Sequence, residues 1–127
     1  MARGLNKVMI IGRLARDPEL RHTPTGKPTS SFSVAVSRSW QAADGERREA
    51  TEWFHVVAWG DLALLCHQQL RQGSLVYVEG RLQTRSWDDA DGHRHTRADV
   101  VAGELIILET ADEDEDNGIA YQEEMSF

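Results

Sequence analysis

Apolar residues in this chain recur at every second position through most of its length and at helical spacing in only one place, which restricts it to a fold built mostly of strands. Phe32, Val34 and Val36 alternate with Ser31, Ser33, Ala35 and Ser37, as in a half-buried strand whose successive side chains point to opposite faces. Upstream, residues 5–14 (LNKVMIIGRL) form an apolar, branched run that ends at Asp17-Pro18, because proline cannot donate to a ladder. Thr23 to Pro28 is turn chemistry, with Gly26 available for positive φ. The polar stretch Gln41 to Ala50, with Asp44-Gly45 inside it, reads as a hairpin loop into a third strand over Thr51 to Trp59.

Asp61 then stands where a helix N-cap belongs, ahead of LALLCHQQLRQG. In that segment Leu62, Leu65, Cys66 and Leu70 recur at helical spacing before Gly73 closes the element. Ser74 to Trp87 returns to period two, and Gly80 within it predicts a bulge that re-phases the faces. Asp88 to Gly92 is the next turn, and Thr96 to Leu108 supplies the last strand. Three strands, a helix and two strands match an all-β, five-stranded Greek-key barrel of the OB type with one short helix.

The chain of 127 residues is long enough for one modest core. Its net charge of −7 is unevenly placed. Eight of the 21 acids lie in residues 109–127, which hold no Lys or Arg, leaving 13 acids against all 14 Lys and Arg in residues 1–108. The expected division is a near-neutral barrel over 1–108 and an acidic, disordered tail over 109–127, where five consecutive acids forbid a core. Cys66 is the single cysteine, so no internal disulfide or multi-cysteine metal site can form. The start carries neither a membrane span nor a signal-peptide cleavage site, so a cytosolic protein without membrane contact is expected.

Four tryptophans, Trp40, Trp53, Trp59 and Trp87, stand at strand ends and in polar segments. Cations accompany them in strand phase: Arg38 two before Trp40, His55 two after Trp53, Arg81 and Arg85 in step with Trp87. Aromatic planes interleaved with positive charge on one surface suit single-stranded nucleic acid, a row of planes on an anionic backbone. The competing reading is that the indoles belong to the core. Trp53 and Trp59 share parity with Val57, which leaves room for one of them to be partly buried. His93 and His95 flank Arg94 in a loop, and nothing spaces the histidines for a metal. No nucleophile and base stand in a recognisable arrangement, so neither an enzyme nor a cofactor is expected.

The segments LNKVMIIGRLARDPELR, TEWFHVVAWG and LRQGSLVYVEGRLQTRSW, in that order and spacing, resemble the bacterial single-stranded DNA-binding protein family over the whole chain. The resemblance implies a homotetramer of OB domains, bacterial, cytoplasmic and associated with the nucleoid. DNA wraps around such an assembly during replication, recombination and repair. Bases would stack on Trp40, Trp53, Trp59 and Trp87, and Arg3, Arg21, Arg38, Arg71 and Arg85 would take phosphates or bases. Lys7 would pair with Glu79 in a subunit contact. The tip Glu123, Glu124, Met125 and Phe127 would dock replication and repair proteins. Here the tip departs from the family's acidic residues followed by Ile-Pro-Phe, since Met125 and Ser126 replace Ile and Pro, and the usual long Gly, Pro and Gln-rich linker is nearly absent. Rival readings are an RNA-binding or primosomal OB protein, a module whose indoles bind a polypeptide, and, for the tail, a merely solubilising extension.

Overall fold

Backbone pairing closes a barrel in this computed structural model, which describes residues 3–111. The strands are β1 (Val8–Leu14), β2 (Glu19–His22), β3 (Pro28–Gln41), β4 (Arg47–Trp59), β5 (Leu75–Asp88) and β6 (Arg94–Glu109), with helix α1 (Asp61–Gln69) between β4 and β5. Five of them, in the order β1-β5-β6-β4-β3, form a ring because β1 also pairs with β3, while β2 is added outside the ring on β3. Every pairing is antiparallel except β4 with β6, where Val56 meets Val100 and Val57 meets Val101. The expected OB barrel is therefore present, with one strand more than the sequence announced. That strand, β2, is four residues long and mostly exposed, too short and too polar for periodicity to reveal.

Closure depends on two positions without a side chain. β1 pairs with β5 from Val8 to Arg13 and then swings to β3, where Arg13 meets Ala35 and Leu14 meets Val34. A Cβ on Gly12 would collide with the Ala35 carbonyl at that crossing, and one on Gly80 would collide with the backbone of Val101. The register slips at the second place, since Glu79 faces Glu104 while Gly80 faces Ala102. The bulge thus falls where Gly80 predicted it, although the surplus residue, Gly103, lies on β6.

Inside the ring pack Ile10, Leu14, Phe32, Val34, Val56, Ala58, Val76, Val78 and Val100. The helix adds Ala63 and Cys66, followed by Leu70, and is tied to β3 by the Ser30 hydroxyl, which donates to the Ala63 carbonyl at 2.7 Å. Burial pushes the Cys66 thiol up to about 11, as expected of an inert core cysteine.

Four boundaries differ from the sequence expectation. The helix N-cap is Gly60, at φ 66°, and Asp61 is the first helical residue with no side-chain cap bond. The helix ends at Gln69, because Leu70 turns extended and drops into the core; Gly73, at φ 93°, lies in the turn beyond and donates its N–H to the Leu14 carbonyl at 2.9 Å. The polar stretches around residues 41–50 and 88–95 are paired strand almost to their tips, as with Trp40 facing Arg48 and Trp87 facing His95. These arms project from the barrel, so cross-strand bonds hold them and no apolar alternation marks them. Glu109, assigned to the tail from composition, pairs with Leu75 and lies 3.4 Å from the Arg13 guanidinium; the barrel therefore includes it. The disordered tail expected after it falls almost wholly in residues 112–127, outside the described residues.

The two bulge glycines make opposite predictions. A Cβ on Gly103 would come no nearer than 3.8 Å to any atom, so Gly103→Ala should change unfolding free energy by under about 0.5 kcal/mol. Gly80→Ala should lower it by about 3 kcal/mol, the upper range for overpacking. Urea denaturation of the two variants separates them, and equal losses would refute the close-approach account.

Candidate nucleic-acid interface

Strand alternation decides which side chains face solvent. On β4, Val56 and Ala58 are buried, so Trp53, His55, Val57 and Trp59 point outward. On β6, Val100 is buried, which turns His95, Arg97 and Asp99 outward. Their partners on β5 are Trp87, Arg85 and Gln83. All four indoles are exposed: Trp53 by 63%, Trp59 by 42%, Trp87 by 41% and Trp40 by 40%. This excludes the core reading, and Trp53, one of the pair whose parity left room for burial, is the barest of the four.

Three strands meet beneath Trp87. Its ring stacks on His95, with centroids 5.5 Å apart and planes 21° apart. The guanidinium carbons of Arg85 and Arg97 lie 5.4 Å and 5.8 Å from the indole centroid, within cation–π range. Under these cations sits Asp99, only 6% exposed. Its Oδ1 is 3.0 Å from both His55 Nδ1 and Arg97 Nε, and its Oδ2 is 3.7 Å from Arg85 Nε. One carboxylate thus links β4, β5 and β6 between Trp53 and Trp87. Nothing in the sequence singled out Asp99, since its β4 partner is 44 residues away and acids on strands are common.

A second cluster surrounds Trp59. Arg21 faces Thr29 across β2 and β3, and Thr29 faces Trp59, so arginine and indole lie in one cross-strand row. Lys27 Nζ stands 5.4 Å from the Trp59 ring centroid. The turn segment TGKP was the available signal for Lys27, but its use required knowing that β3 begins beside the end of β4. Arg21 also donates from Nε to Glu19 at 2.7 Å.

Trp40 is placed differently. It shares parity with Phe32 and Val34, whereas Trp53 faces Ala35, so Trp40 lies on the other side of the β3–β4 ribbon from Trp53. Arg38 covers it at 4.6 Å and Arg48 stands opposite. Trp40 and Trp87 keep the cations that strand phase gave them, Arg38 and Arg85, whereas Trp59 takes Lys27 from outside its strand and His55 is held by Asp99; nor do the four share one surface as the sequence suggested. Trp53, Trp59 and Trp87 face outward from the barrel, and Trp40 presents the reverse of an arm.

The remaining candidates divide. Arg3 is exposed ahead of β1. Arg71 donates from Nη1 to the carbonyls of Leu70 at 2.7 Å and His67 at 3.1 Å, closing the end of α1. Lys7 and Glu79 pair at 3.4 Å within a single chain. The Tyr77 hydroxyl donates to Glu79 at 2.7 Å, and that bond, then Lys7, holds the Glu79 carboxyl below the usual range. Beside this pair Ile11 faces Tyr77, which faces Ile106, and Met9 is 61% exposed. In the β5–β6 turn, Asp89, Asp91 and His93 bring ligand-type atoms within 4.8 Å of one another. Hydrogen bonding organises that group: Asp89 lies 2.7 Å from His95 Nε2 and accepts the N–H groups of Asp91 and His93 at 2.9 Å. The docking tip, Glu123, Glu124, Met125 and Phe127, lies outside the described residues.

A closed barrel with a single helix inserted before its β5–β6 hairpin and cation-backed indoles on its strands defines an OB-fold protein. Residues 5–108 match the single-strand binding protein family, and the chain belongs to it. It is 47% identical over 113 residues to single-stranded DNA-binding protein 1 of Chlorobaculum tepidum, covering 88% of this chain and 70% of that one. With single-stranded DNA-binding protein of Neisseria meningitidis it shares 44% identity over 119 residues, 94% of this chain and 68% of the relative. Among solved structures, the Plasmodium falciparum SSB in complex with ssDNA superposes with a TM-score of 0.81 at 28% identity, covering 86% of this chain and 99% of the other.

Asp89 makes the tip of the β5–β6 arm pH-sensitive in a defined direction. Its folded pKa is depressed, first by His95 and then by the His93 N–H. The stability it adds is therefore present above the ordinary carboxylate range and lost as pH falls through the depressed value. Protection of the His93 amide from hydrogen exchange should fall on acidification in the native protein and be low throughout in Asp89→Asn; strong protection in the variant at neutral pH would show that the carboxylate does not hold the turn.

Proposed function

We propose that this protein binds and protects single-stranded DNA with little sequence preference, without turnover. The observation that carries the reading is the outward face on which Trp53, Trp59 and Trp87 stand exposed with Arg21, Lys27, Arg85 and Arg97 around them. Bases have flat faces that cover an indole whatever their sequence, and stacking is worth about 1–3 kcal/mol per base. Arginine suits such a surface because its planar head forks onto a phosphate or lies on a ring. Trp40 with Arg38 would take the strand around the β3–β4 arm, and Arg3, exposed ahead of β1, would meet phosphates. The helix-capping bonds of Arg71 make it the weakest of the cation candidates. Family membership and the DNA-bound structural neighbour support the same reading.

The working form would be a homotetramer. The Met9, Ile11, Tyr77 and Ile106 face is apolar and open, and among the described residues β1 has one backbone edge unpaired over most of its length; both are surfaces that a second copy would cover. Lys7 and Glu79, paired in the chain, would border that contact. In the cell the protein would act in the cytoplasm on the nucleoid, during replication, recombination and repair. Its tip would recruit partner enzymes, with Phe127 entering an apolar pocket and Glu123 and Glu124 meeting basic residues. No helix among the described residues is long and apolar enough to cross a membrane.

Titration with oligo-dT should quench the tryptophan fluorescence strongly, and duplex DNA should not. The binding constant should fall with salt at about −0.7 per phosphate contacted on a double-logarithmic plot. Trp53→Ala and Trp87→Ala should each weaken binding by roughly 5- to 150-fold, the equivalent of one lost stack, with unchanged melting temperatures. Unquenched indoles with oligo-dT would sink the reading; equal affinity for oligo-rU would redirect it to RNA. Met9→Glu should lower the oligomeric state in sedimentation, and an unaltered sedimentation coefficient would remove the apolar face from the assembly.

A further inference from the structure

Arg85 and Arg97 stand directly opposite each other on β5 and β6, and like charges so placed repel. The charge that reconciles them is Asp99, whose side chain is only 8% exposed. Arg97 meets it through Nε at 3.0 Å and Arg85 through Nε at 3.7 Å. Engagement through Nε leaves the terminal Nη1 and Nη2 nitrogens of both guanidinium groups without a hydrogen bond among the described residues. Both groups also rest near the Trp87 indole. The carboxylate's remaining partner is His55 Nδ1, reaching it from β4.

A fixed carboxylate beneath two arginines acts in two directions. It holds the guanidinium groups over the indole before a ligand arrives, which removes part of the ordering cost of binding. It also cancels part of their charge, so that an arriving phosphate is attracted less than two bare arginines would attract it. The first effect persists at any salt concentration, whereas the second fades as salt rises.

We propose that Asp99 is a positioning residue of the single-stranded DNA site: it is the resident counter-ion of the Arg85–Arg97 pair, turning their Nη ends toward one backbone phosphate and making the pair count as a single cation. The inference rests on the single-stranded DNA reading above.

Asp99→Asn keeps the shape and removes the charge. Against oligo-dT, its salt dependence should steepen by about 0.7, one more counterion released, so that its affinity relative to the native protein rises about 2.5-fold for each fourfold drop in NaCl. At high salt it should bind more weakly than the native protein, because the arginines are no longer held. The two lines should therefore cross, and Asp99→Glu should keep the native slope. Parallel lines, with circular dichroism showing both proteins folded, overturn the proposal, since a merely structural role shifts affinity without changing slope. If Asp99→Asn does not fold, the triple variant Arg85→Gln, Arg97→Gln, Asp99→Asn decides: a trio counting as one cation flattens the slope by about 0.7, and two arginines that count independently of Asp99 by about 1.4, which would overturn the proposal. A native protein that fails to bind oligo-dT would instead sink the reading on which the inference stands.

Discussion

Backbone contact at Gly12 and Gly80 is the constraint on which the rest of the molecule depends. A strand that pairs with one neighbour along most of its length and with another at its end must pass close over the second neighbour's backbone. At that crossing a methyl group on Gly12 would meet the Ala35 carbonyl, and at the β5–β6 bulge one on Gly80 would meet the Val101 backbone. Without the first β1 could not serve β5 and β3 together, and without the second β5 could not follow β6 through its change of register; the ring would stay open, and Val34, Val56, Val76, Val78 and Val100 would have no common interior. Closure also fixes the outward side of every strand, because a residue that points in determines the phase of its neighbours.

The indole face follows from that phase. Burying Val56 and Ala58 turns Trp53, His55 and Trp59 out, and burying Val100 does the same for Arg97 and Asp99. The face is therefore the reverse side of the core, and its geometry is as rigid as the packing behind it. Asp99 shows what this allows: a carboxylate that is nearly enclosed yet lies among surface side chains, because His55, Arg85 and Arg97 from three strands fold over it. Beyond the barrel the same alternation works without a core behind it. The two arms are held by cross-strand bonds and by tips such as Asp89 with its turn, so Trp40 and Trp87 ride on ribbons whose support is hydrogen bonding instead of burial.

The elements that contact the core were legible in advance, since Phe32, Val34 and Val36, or Val76 and Val78, carry a period that only a half-buried strand produces. What escaped was held together by polar contacts. The strand β2 and the outer lengths of β3, β4, β5 and β6 have no apolar face, and Glu109 is kept in the barrel by its ladder partner and Arg13. The helix start was misplaced by one residue because Asp61 looked like a cap, while the left-handed backbone of Gly60 made the entry. Among the site residues, the indoles and their in-strand cations could be paired by counting in twos. Arg71 could not be assigned that way, because its role lies in carbonyls exposed only when the helix ends where it does.

Composition and periodicity by themselves determined a single small barrel, one helix, an acidic segment at the end, and four indoles, of which Trp40, Trp53 and Trp87 have a cation in phase on their own strand. These are local properties, set by side-chain type and by a repeat of two. Which indoles share a face, that Lys27 covers Trp59, and that Asp99 gathers His55, Arg85 and Arg97 were decided only by tertiary structure. Such neighbours come from strands far apart in the chain, and their meeting depends on register and closure, which no window of sequence contains.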